Sequence, residues 1–433
     1  MVNGKKLLVI GGPKIAINIV KKAQEMGIYT IVTDQFINSP AKVIADESYM
    51  VSTYDTAGLV ELCKKLRVDG VITGYFDSIL PHYQEVCEQL NMPCYATKDQ
   101  FEISVNKNKF KKACIENGIP VVPEFRLTSE LLSSDLEKIE YPVLVKPADN
   151  CGTKGISVCN NELELRVACT KALEFSSCKE FLVEKYMDYP HVEMDYHLDD
   201  GKIVLETMWD KSEINNQKGY ASLPEAFMFP SNYLNSYINQ MNDKVIKMFK
   251  NYGFKNGLIF LQAFVNNGSF YFFEMGYRLG SAQTYKFIEK CCGYNPLELL
   301  IRFSLTGSMT EENSKINISP YFNSKKAVQL ICLLHEGTIK TIDGFEEVQA
   351  IPEVIHIEQK HFPNDEIKLV GTYDQILARI YLVSENVHSI IQAINKISKN
   401  LRVYDVEGNN QLFQIYDANK LYDWSIVKEF NGV

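Results

Sequence analysis

The sequence lacks three features that would assign it to another class of protein. Its 433 residues hold 45 lysines and arginines against 54 acids, a formal net charge of −9, which argues against nucleic acid as the main partner because phosphate backbones require basic patches. No apolar run reaches about 18 residues, so no membrane span is predicted. The first residues lack the apolar region of a signal peptide, and we therefore expect a cytoplasmic protein.

Paired cysteine motifs are also absent. The 11 cysteines are scattered along the chain, and the neighbours Cys291 and Cys292 cannot form an ordinary disulfide with each other. Scattered cysteines without metal-ligand spacing are typical of a reducing compartment. The sequence therefore predicts neither a disulfide framework nor a zinc site.

Complete nucleotide-loop motifs are missing as well. The segment Gly11-Gly12-Pro13-Lys14 has no third glycine at the offset of a dinucleotide fingerprint and no Gly-Lys-Ser/Thr of a phosphate loop. We expect a tight turn after the first strand at this segment, rather than a bound NAD.

The first hundred residues do contain a regular alternation of strands and helices. Apolar segments at Lys6–Ile10, Tyr29–Thr33 and Val68–Thr73 are separated by helical patterns, which predicts a doubly wound parallel sheet. Ligands of such sheets bind at the carboxyl ends of the strands, and a second-substrate site there is left open. That edge would carry Gly11, Gly12, Asp34, Gly74 and Asp77.

A first hairpin pattern lies near residue 150. Lys146 lies at the end of the strand Tyr141–Pro147, just before its last residue. The small residues of 148–155 follow and precede another strand. A glycine loop with uncovered amides can lie over phosphates, with Lys146 and Lys154 supplying charge. The alternative is a surface hairpin with solvated lysines, although the apolar run before Lys146 is an expensive place for an unpaired charge.

A second hairpin pattern places an amide and an acid opposite each other. Two aromatic and β-branched strands around Asn266-Asn267-Gly268 contain Gln262 and Glu274, and the tight turn would bring their oxygens together. Two oxygen ligands suit Mg²⁺, which keeps waters and binds phosphates. Arg278 would add a fixed positive group. The alternative is a structural acid at Glu274 paired with Arg278.

Two further segments complete the pattern. The stretch Met208–Pro230 shows no clear periodicity and carries Trp209 and Lys211, so we predict an irregular functional loop. After Ser308 the composition shifts, and the patterns predict a small α+β closing domain.

These motifs, in this order, resemble the ATP-grasp superfamily. The resemblance is closest to the biotin carboxylase, carbamoyl phosphate synthetase and L-amino acid ligase branches, and it covers residues 1–310 better than the last 120. The segments that carry it are Asn106-Lys107, Gly118-Ile119-Pro120, Tyr141–Pro147, the glycine loop, Val183–Glu193, Gln262, Glu274 and Arg278.

The resemblance implies a fold and a division of the chain. An N-terminal doubly wound parallel sheet (a pre-ATP-grasp α/β domain) would occupy residues 1–105, and a two-lobed ATP-grasp domain residues 106–310. Its nucleotide lobe would span about 120–187 and its metal-binding lobe about 188–310. A small C-terminal α+β domain would take 311–433.

The resemblance also implies roles for single residues, with ATP and Mg²⁺ or Mn²⁺ as cofactors. Arg278 and Lys154 would be the catalytic residues at the reacting phosphoryl group. Gln262 and Glu274 would be the ligands of the metal. The nucleotide would be bound by Lys107 and Lys146 at the phosphates, Gly152 and Gly155 in the closing loop, Glu184, Lys185 and Met187 at the adenine, and His191 and Glu193 at the ribose.

The activity implied is an ADP-forming carboxylate–amine ligase that works through an acyl phosphate. Its partners would be a small-molecule carboxylate and an amine, in a homodimer. Two alternatives stay open: activation of bicarbonate, as in carbamoyl phosphate synthetase or biotin carboxylase, and a catalytically degenerate ATP-binding protein. Gly276 bears on the last, because many relatives have asparagine there, and Asn106 stands where aspartate is usual.

Overall fold

The structure, a computed structural model, describes residues 2–127, 130–149, 155–214, 222–311, 316–368, 371–413 and 415–424. The predicted glycine-loop residues Gly152 and Lys154 lie outside the described residues, whereas Gly155 is inside them. In the part of the chain that is described, no helix is long and apolar enough to cross a membrane.

The N-terminal unit is the parallel sheet that the sequence predicts. Its strands pair in the order β3-β2-β1-β4 with every pairing parallel, and helices connect them. The strands are β1 Lys6–Ile10, β2 Tyr29–Thr33, β3 Glu47–Tyr49 and β4 Gly70–Ile72, and the helices are α1 Ile17–Glu25, α2 Pro40–Ile44, α3 Thr56–Leu66, α4 Leu80–Leu90 and α5 Lys98–Val105.

The nucleotide lobe is a small antiparallel sheet covered by one long helix. Its strands pair in the order β5-β8-β6-β7, and Leu165 of the helix packs with Val143 and Val145 of the sheet in one apolar cluster. Its elements are α6 Lys107–Glu116, β5 Glu124–Phe125, α7 Ser133–Leu136, β6 Val143–Pro147, β7 Ser157–Cys159, α8 Glu162–Phe175 and β8 Phe181–Lys185.

Asn106 is the N-cap of α6 in this lobe. Its side chain accepts hydrogen bonds from the backbone N–H groups of Asn108 and Lys109. Asparagine caps a helix about as well as aspartate does, so the exchange of acid for amide at this position keeps the start of the helix.

The segment predicted as the metal-binding lobe is built on a long antiparallel sheet. Four consecutive pairings of five strands give the order β13-β12-β9-β10-β11. The elements are β9 His191–Asp199, β10 Lys202–Ile214, β11 Leu223–Phe229, α9 Leu234–Tyr237, α10 Asp243–Asn251, β12 Gly257–Asn266, β13 Ser269–Gly276, α11 Tyr285–Cys292 and α12 Pro296–Thr306.

The prediction of an irregular loop over Met208–Pro230 is wrong for the described residues. Residues 208–214 belong to β10, and β11 starts at Leu223. Most of both strands is buried on both faces, so the period-two alternation that marks a half-exposed strand is absent from the sequence. Trp209 packs on Phe227 with ring centroids 4.4 Å apart.

The C-terminal segment extends the same sheet. Strands β14, β18 and β16 continue the order after β11, while β17, β15 and β19 pair beside them. The elements are β14 Lys326–Leu333, β15 Gly337–Asp343, α13 Phe345–Gln349, β16 Val354–Gln359, β17 Glu366–Ile367, β18 Ile376–Ser384, α14 Val387–Asn400, β19 Arg402–Asp405 and α15 Lys420–Trp424.

Close packing joins the N-terminal unit to the large sheet. A Cβ added at Gly70 on β4 would lie 2.2 Å from the Ser304 carbonyl oxygen of α12, so only glycine permits this approach of helix to strand. Tyr95 and Tyr277 also exchange hydrogen bonds through their hydroxyl groups and carbonyl oxygens, at 3.1 and 2.9 Å. The N-terminal unit is therefore held against α12 and the end of β13.

Candidate functional site

A buried group of charged side chains lies in the nucleotide lobe. The ammonium of Lys146 on β6 is 2.7 Å from a carboxylate oxygen of Glu184 on β8, and Lys111 on α6 is 2.5 Å from the other oxygen. Lys111 also pairs with the partly exposed Glu124 at 3.0 Å. Glu184 is thus the counter-ion of two lysines. Because both oxygens of its side chain are engaged, the predicted contact of Glu184 with adenine would have to be made by its backbone.

The two lysines determine the protonation of this group. Burial alone would raise the pKa of Glu184, but Lys146 and Lys111 bring it below its ordinary value. Burial lowers the pKa of Lys146, an effect to which the nearby Lys107 and Lys111 add and which Glu184 opposes. Positive charge therefore exceeds negative charge around Lys146, as a phosphate-binding position requires.

The backbone around this group restricts the remaining nucleotide predictions. The N–H of Lys185 donates to the carbonyl oxygen of Pro123 at 2.9 Å, so it is already used within the protein. Met187 is buried. Gly155 has φ +78°, and a Cβ there would lie 2.8 Å from the Pro147 ring, which gives this glycine a structural reason of its own.

The amide and the acid of the second predicted hairpin, Gln262 and Glu274, do face each other. Gln262 and Glu274 are direct partners in the register of β12 and β13. On the other side of β12, Gln262 is opposite Glu193 of β9. Directly opposed residues on neighbouring strands point to the same face, so the three side chains share one surface.

The chemistry of these three residues fits a magnesium ion. The amide nitrogen of Gln262 donates to Glu193 at 2.6 Å, so the amide oxygen is the atom that can coordinate. Within the described ranges, no group of three or more His, Cys, Asp and Glu side chains could hold a metal. An amide and a carboxylate that leave most positions to water and phosphate are what Mg²⁺ prefers.

Glu193 and His191 lie beside the Gln262–Glu274 pair. We call this candidate metal-binding surface the metal edge. Burial, and then the nearby Asp195, raise the pKa of Glu193 well above its ordinary value, so the carboxyl tends to stay protonated beside Gln262. Burial lowers the pKa of His191, which favours the neutral imidazole. The predicted ribose contacts of both residues stay predictions.

Phe273 connects the lysines to the metal edge. Its ring centroid lies 5.7 Å from the Lys146 ammonium, and Phe273 immediately precedes Glu274 on β13. The ring stacks on Phe264 with centroids 4.7 Å apart and packs against His191 at 5.2 Å. Lys146 and the Gln262–Glu274 pair are therefore neighbours on either side of Phe273.

Lys211 is a candidate site residue that the sequence did not single out. It lies partly buried on β10 opposite His191 in the register, and its ammonium lies 2.6 Å from Glu213. Burial would lower its pKa, but Tyr373 and Glu213 together raise it. Lys211 thus keeps its positive charge at the metal edge, and it was missed because its segment was taken for a loop.

Arg278 is fixed by a partner from the N-terminal unit. Its Nε and one Nη donate to the two carboxylate oxygens of Asp77, each at 2.7 Å, and its other Nη donates to the Leu279 carbonyl oxygen at 2.9 Å. A bidentate pair of this kind sets the orientation of the guanidinium as well as adding energy. The alternative pairing of Arg278 with Glu274 is not the contact that the structure gives.

Gly276 has a steric explanation. A Cβ at this position would lie 2.2 Å from two atoms of the Phe260 ring. The same ring is a cation–π partner of Arg278, with its centroid 5.0 Å from the guanidinium carbon. In this chain the ring occupies the space that a side chain at position 276 would need.

Buried acids continue behind Arg278. Burial raises the pKa of Asp195 to about 7 and that of Glu206 to about 8, and the Tyr294 hydroxyl donates to Glu206 at 2.9 Å. A cavity of about 20 Å³ lined by Asp195, Glu206, Arg278 and neighbouring residues lies among them. That volume is sufficient for about one water molecule.

Comparisons with known proteins identify a matching family model and several similar chains. Residues 106–311 match the family model described as "Carbamoyl-phosphate synthase L chain, ATP binding domain". The 2-oxoglutarate carboxylase small subunit of Hydrogenobacter thermophilus is 24% identical over 93% of this chain and 87% of its own length. The carbamoyl phosphate synthase large chain of Saccharolobus solfataricus is 29% identical, but the match covers 45% of this chain and only 20% of that protein.

Solved structures with low sequence identity share the whole fold. The L-amino acid ligase from Bacillus licheniformis superposes with a TM-score of 0.75 at 21% identity, over 94% of this chain and all of that one. The biotin carboxylase domain dimer of the Hydrogenobacter thermophilus 2-oxoglutarate carboxylase, solved with MgADP, ADP and bicarbonate, gives 0.71 at 20% identity, over 92% and 91%.

Proposed function

We propose that the chain is an ATP-grasp ligase, ATP-dependent and ADP-forming, which joins a carboxylate to an amine through an acyl phosphate. One observation carries the proposal. The buried lysines around Glu184 and the Gln262–Glu274 pair meet across Phe273, which brings phosphate-binding charge and metal-binding oxygens to one place.

The described cations account for nucleotide binding in a chain whose net charge is negative. Lys146 has charged neighbours in Lys107 and Lys111. Glu184 pairs with Lys146 and Lys111, and the partly exposed Glu124 pairs with Lys111. Gln262 and Glu274 would hold Mg²⁺, which supplies charge neutralisation at the transferring phosphoryl oxygens when bound.

The proposed reaction has two steps. A carboxylate oxygen of the acid attacks the γ-phosphorus of ATP, the bond to the β-phosphate oxygen breaks, and ADP leaves. The amine nitrogen then attacks the acyl carbon, and inorganic phosphate leaves with the oxygen that came from the acid. The protein's task is positioning and charge stabilisation, and Arg278, fixed by Asp77, is the group we assign to the acid and its phosphate.

A product survey tests this proposal. The protein is incubated with ATP, Mg²⁺ and pooled amino acids and small carboxylic acids, and nucleotides and new masses are resolved by mass spectrometry. We expect ADP and phosphate together with one condensed product. Glu274→Gln should abolish both, whereas the exposed Glu336→Gln serves as the matched control and should not. AMP with pyrophosphate would contradict the mechanism.

Bicarbonate activation is the second candidate, and the similarity to the 2-oxoglutarate carboxylase small subunit favours it. Bicarbonate carries the same reacting oxygen as a carboxylate, so the same residues could serve it. The two candidates separate in one assay: ADP formation that requires bicarbonate and no organic acid supports the second. Tight ATP binding without any turnover would support a binding protein.

A further inference from the structure

The carboxyl edge of the N-terminal parallel sheet carries several exposed apolar side chains. Met50 follows β3, Tyr54 lies in the next loop, and Phe76 lies after β4, with exposed fractions of 57%, 53% and 40%. Phe36 and Ile37, after β2, are 65% and 74% exposed. This edge is where ligands bind in sheets of this type, and clustered apolar surface marks binding sites.

Contacts between the loops hold this surface together. The Lys42 ammonium donates to the Phe36 carbonyl oxygen at 3.1 Å and lies 2.9 Å from the Met50 sulfur. The Ser52 hydroxyl donates to the Gln35 side chain at 3.3 Å. The loops after β2 and β3 are therefore tied to each other, and their apolar side chains share one region of the edge.

The same surface leads directly to the candidate active site. The Tyr54 ring packs edge to face on His82 with centroids 5.2 Å apart, and its hydroxyl donates to Ser78 at 3.2 Å. Ser78 is the neighbour of Asp77, whose carboxylate holds Arg278 at 2.7 Å. A fixed aromatic ring thus lies a short chain of contacts away from the arginine.

Asp34 and Gly12 at this edge are already engaged by the protein. Asp34, at the end of β2, accepts hydrogen bonds from the backbone N–H groups of Gly12 and Phe36 at 2.8 and 2.9 Å. A Cβ at Gly12 would lie 2.9 Å from Ser39 and 3.2 Å from Val32, so side chains cover that glycine. Neither a sugar hydroxyl nor a phosphate finds its usual partners here, and apolar surface is what this edge offers.

We propose that Met50, Tyr54 and Phe76, together called the apolar rim, bind the hydrocarbon part of the acid or amine substrate. The substrate class is a small acid or amine with an aromatic or branched apolar group, and its reacting end lies towards Arg278. The inference rests on the proposed function and adds the substrate class to it.

Binding measurements that need no turnover test the rim. The full chain is saturated with MgADP and titrated by calorimetry with 3-phenylpropionate, phenethylamine and L-phenylalanine, and with acetate, ethylamine and glycine as short counterparts. We expect at least one aromatic probe to bind about 10-fold or more tightly than its counterpart, since one apolar group in a pocket discriminates by about that factor. The acid, amine and amino-acid arms show which end is recognised.

Variants assign the binding to the rim. Phe76→Ala and Tyr54→Ala should each weaken the aromatic probe about 10-fold, while Phe76→Leu keeps most of the affinity and ADP affinity is unchanged. Leu163→Ala, at an exposed apolar position of α8, is the matched control and should change nothing.

Three results overturn the inference: no preference for the aromatic probes, full affinity in both alanine variants, or variants that change only the mass measured by light scattering. The last would make the surface a contact between copies of the chain. If rim-dependent binding is present but no condensed product forms with any acid and amine, the proposed function fails while the apolar rim stands as a binding site.

Discussion

The contact between Gly276 and the Phe260 ring makes a quantitative prediction about why position 276 has no side chain. In Gly276→Ala the added Cβ would lie 2.2 Å from the ring, and the ring is 6% exposed and has little room to move. Overpacking of this kind costs about 1–3 kcal/mol. The conformation of the glycine adds nothing to this cost, because its φ lies outside the left-handed region.

A double-mutant cycle isolates that steric cost. Phe260→Ala alone should lower the free energy of unfolding by about 3–5 kcal/mol because it empties a buried site. It also removes the ring atoms with which a Cβ at position 276 would clash. Gly276→Ala in the Phe260→Ala background should therefore be neutral, which gives a coupling energy of about 1–3 kcal/mol between the two positions.

Urea unfolding followed by circular dichroism measures all four proteins of the cycle. Gly280→Ala is the matched control, since the nearest atoms to its added Cβ are 3.8 Å or more away, and it should change stability by less than about 0.5 kcal/mol. If Gly276→Ala costs the same with and without the Phe260 ring, steric exclusion by that ring is refuted.

Three further predictions concern the charges of the site. Lys146→Met should weaken MgATP binding at least about 10-fold, because it leaves Glu184 with one lysine fewer beside the phosphates, whereas Lys138→Met on the surface should not; fluorescence titration measures both. Lys211→Met should lower kcat more than ATP affinity, since Lys211 lies at the metal edge, and equal losses in both would count against that placement. Burial raises the pKa of Glu206 to about 8, so the folded chain holds a proton that the unfolded chain releases near pH 4.5. The free energy of unfolding should then fall from pH 5 to pH 8 by up to about 4 kcal/mol, and Glu206→Gln should reduce that fall in urea unfolding at the two pH values.

The sequence was most informative where local pattern and chemistry coincide. The turn at Asn266-Asn267-Gly268 and the flanking strands predict a hairpin that brings Gln262 near Glu274, and the structure pairs the two residues. The direct pairing depends on a register shift between Gln262 and Ala263, because the spacing from the turn alone would place Gln262 opposite Phe273. The parallel sheet followed from buried strands alternating with helices. Both elements depend on residues close together in the chain, which is why local pattern predicts them.

The partners of these residues could not be found in this way. Glu193, which holds Gln262, is 69 positions away, and Asp77, which holds Arg278, is 201 positions away. Such contacts depend on how sheets pack rather than on any local period. Lys211 was missed for a different reason: its strand is buried on both faces and therefore shows no alternation.

The fate of one oxygen atom tests the central claim most directly. The acid identified by the product survey is prepared with ¹⁸O in its carboxylate and turned over with ATP, Mg²⁺ and the amine, and the phosphorus-containing products are analysed by mass spectrometry. Acyl-phosphate chemistry predicts one ¹⁸O in inorganic phosphate for each molecule of ADP and product formed. Label in AMP, or inorganic phosphate without label, would contradict it.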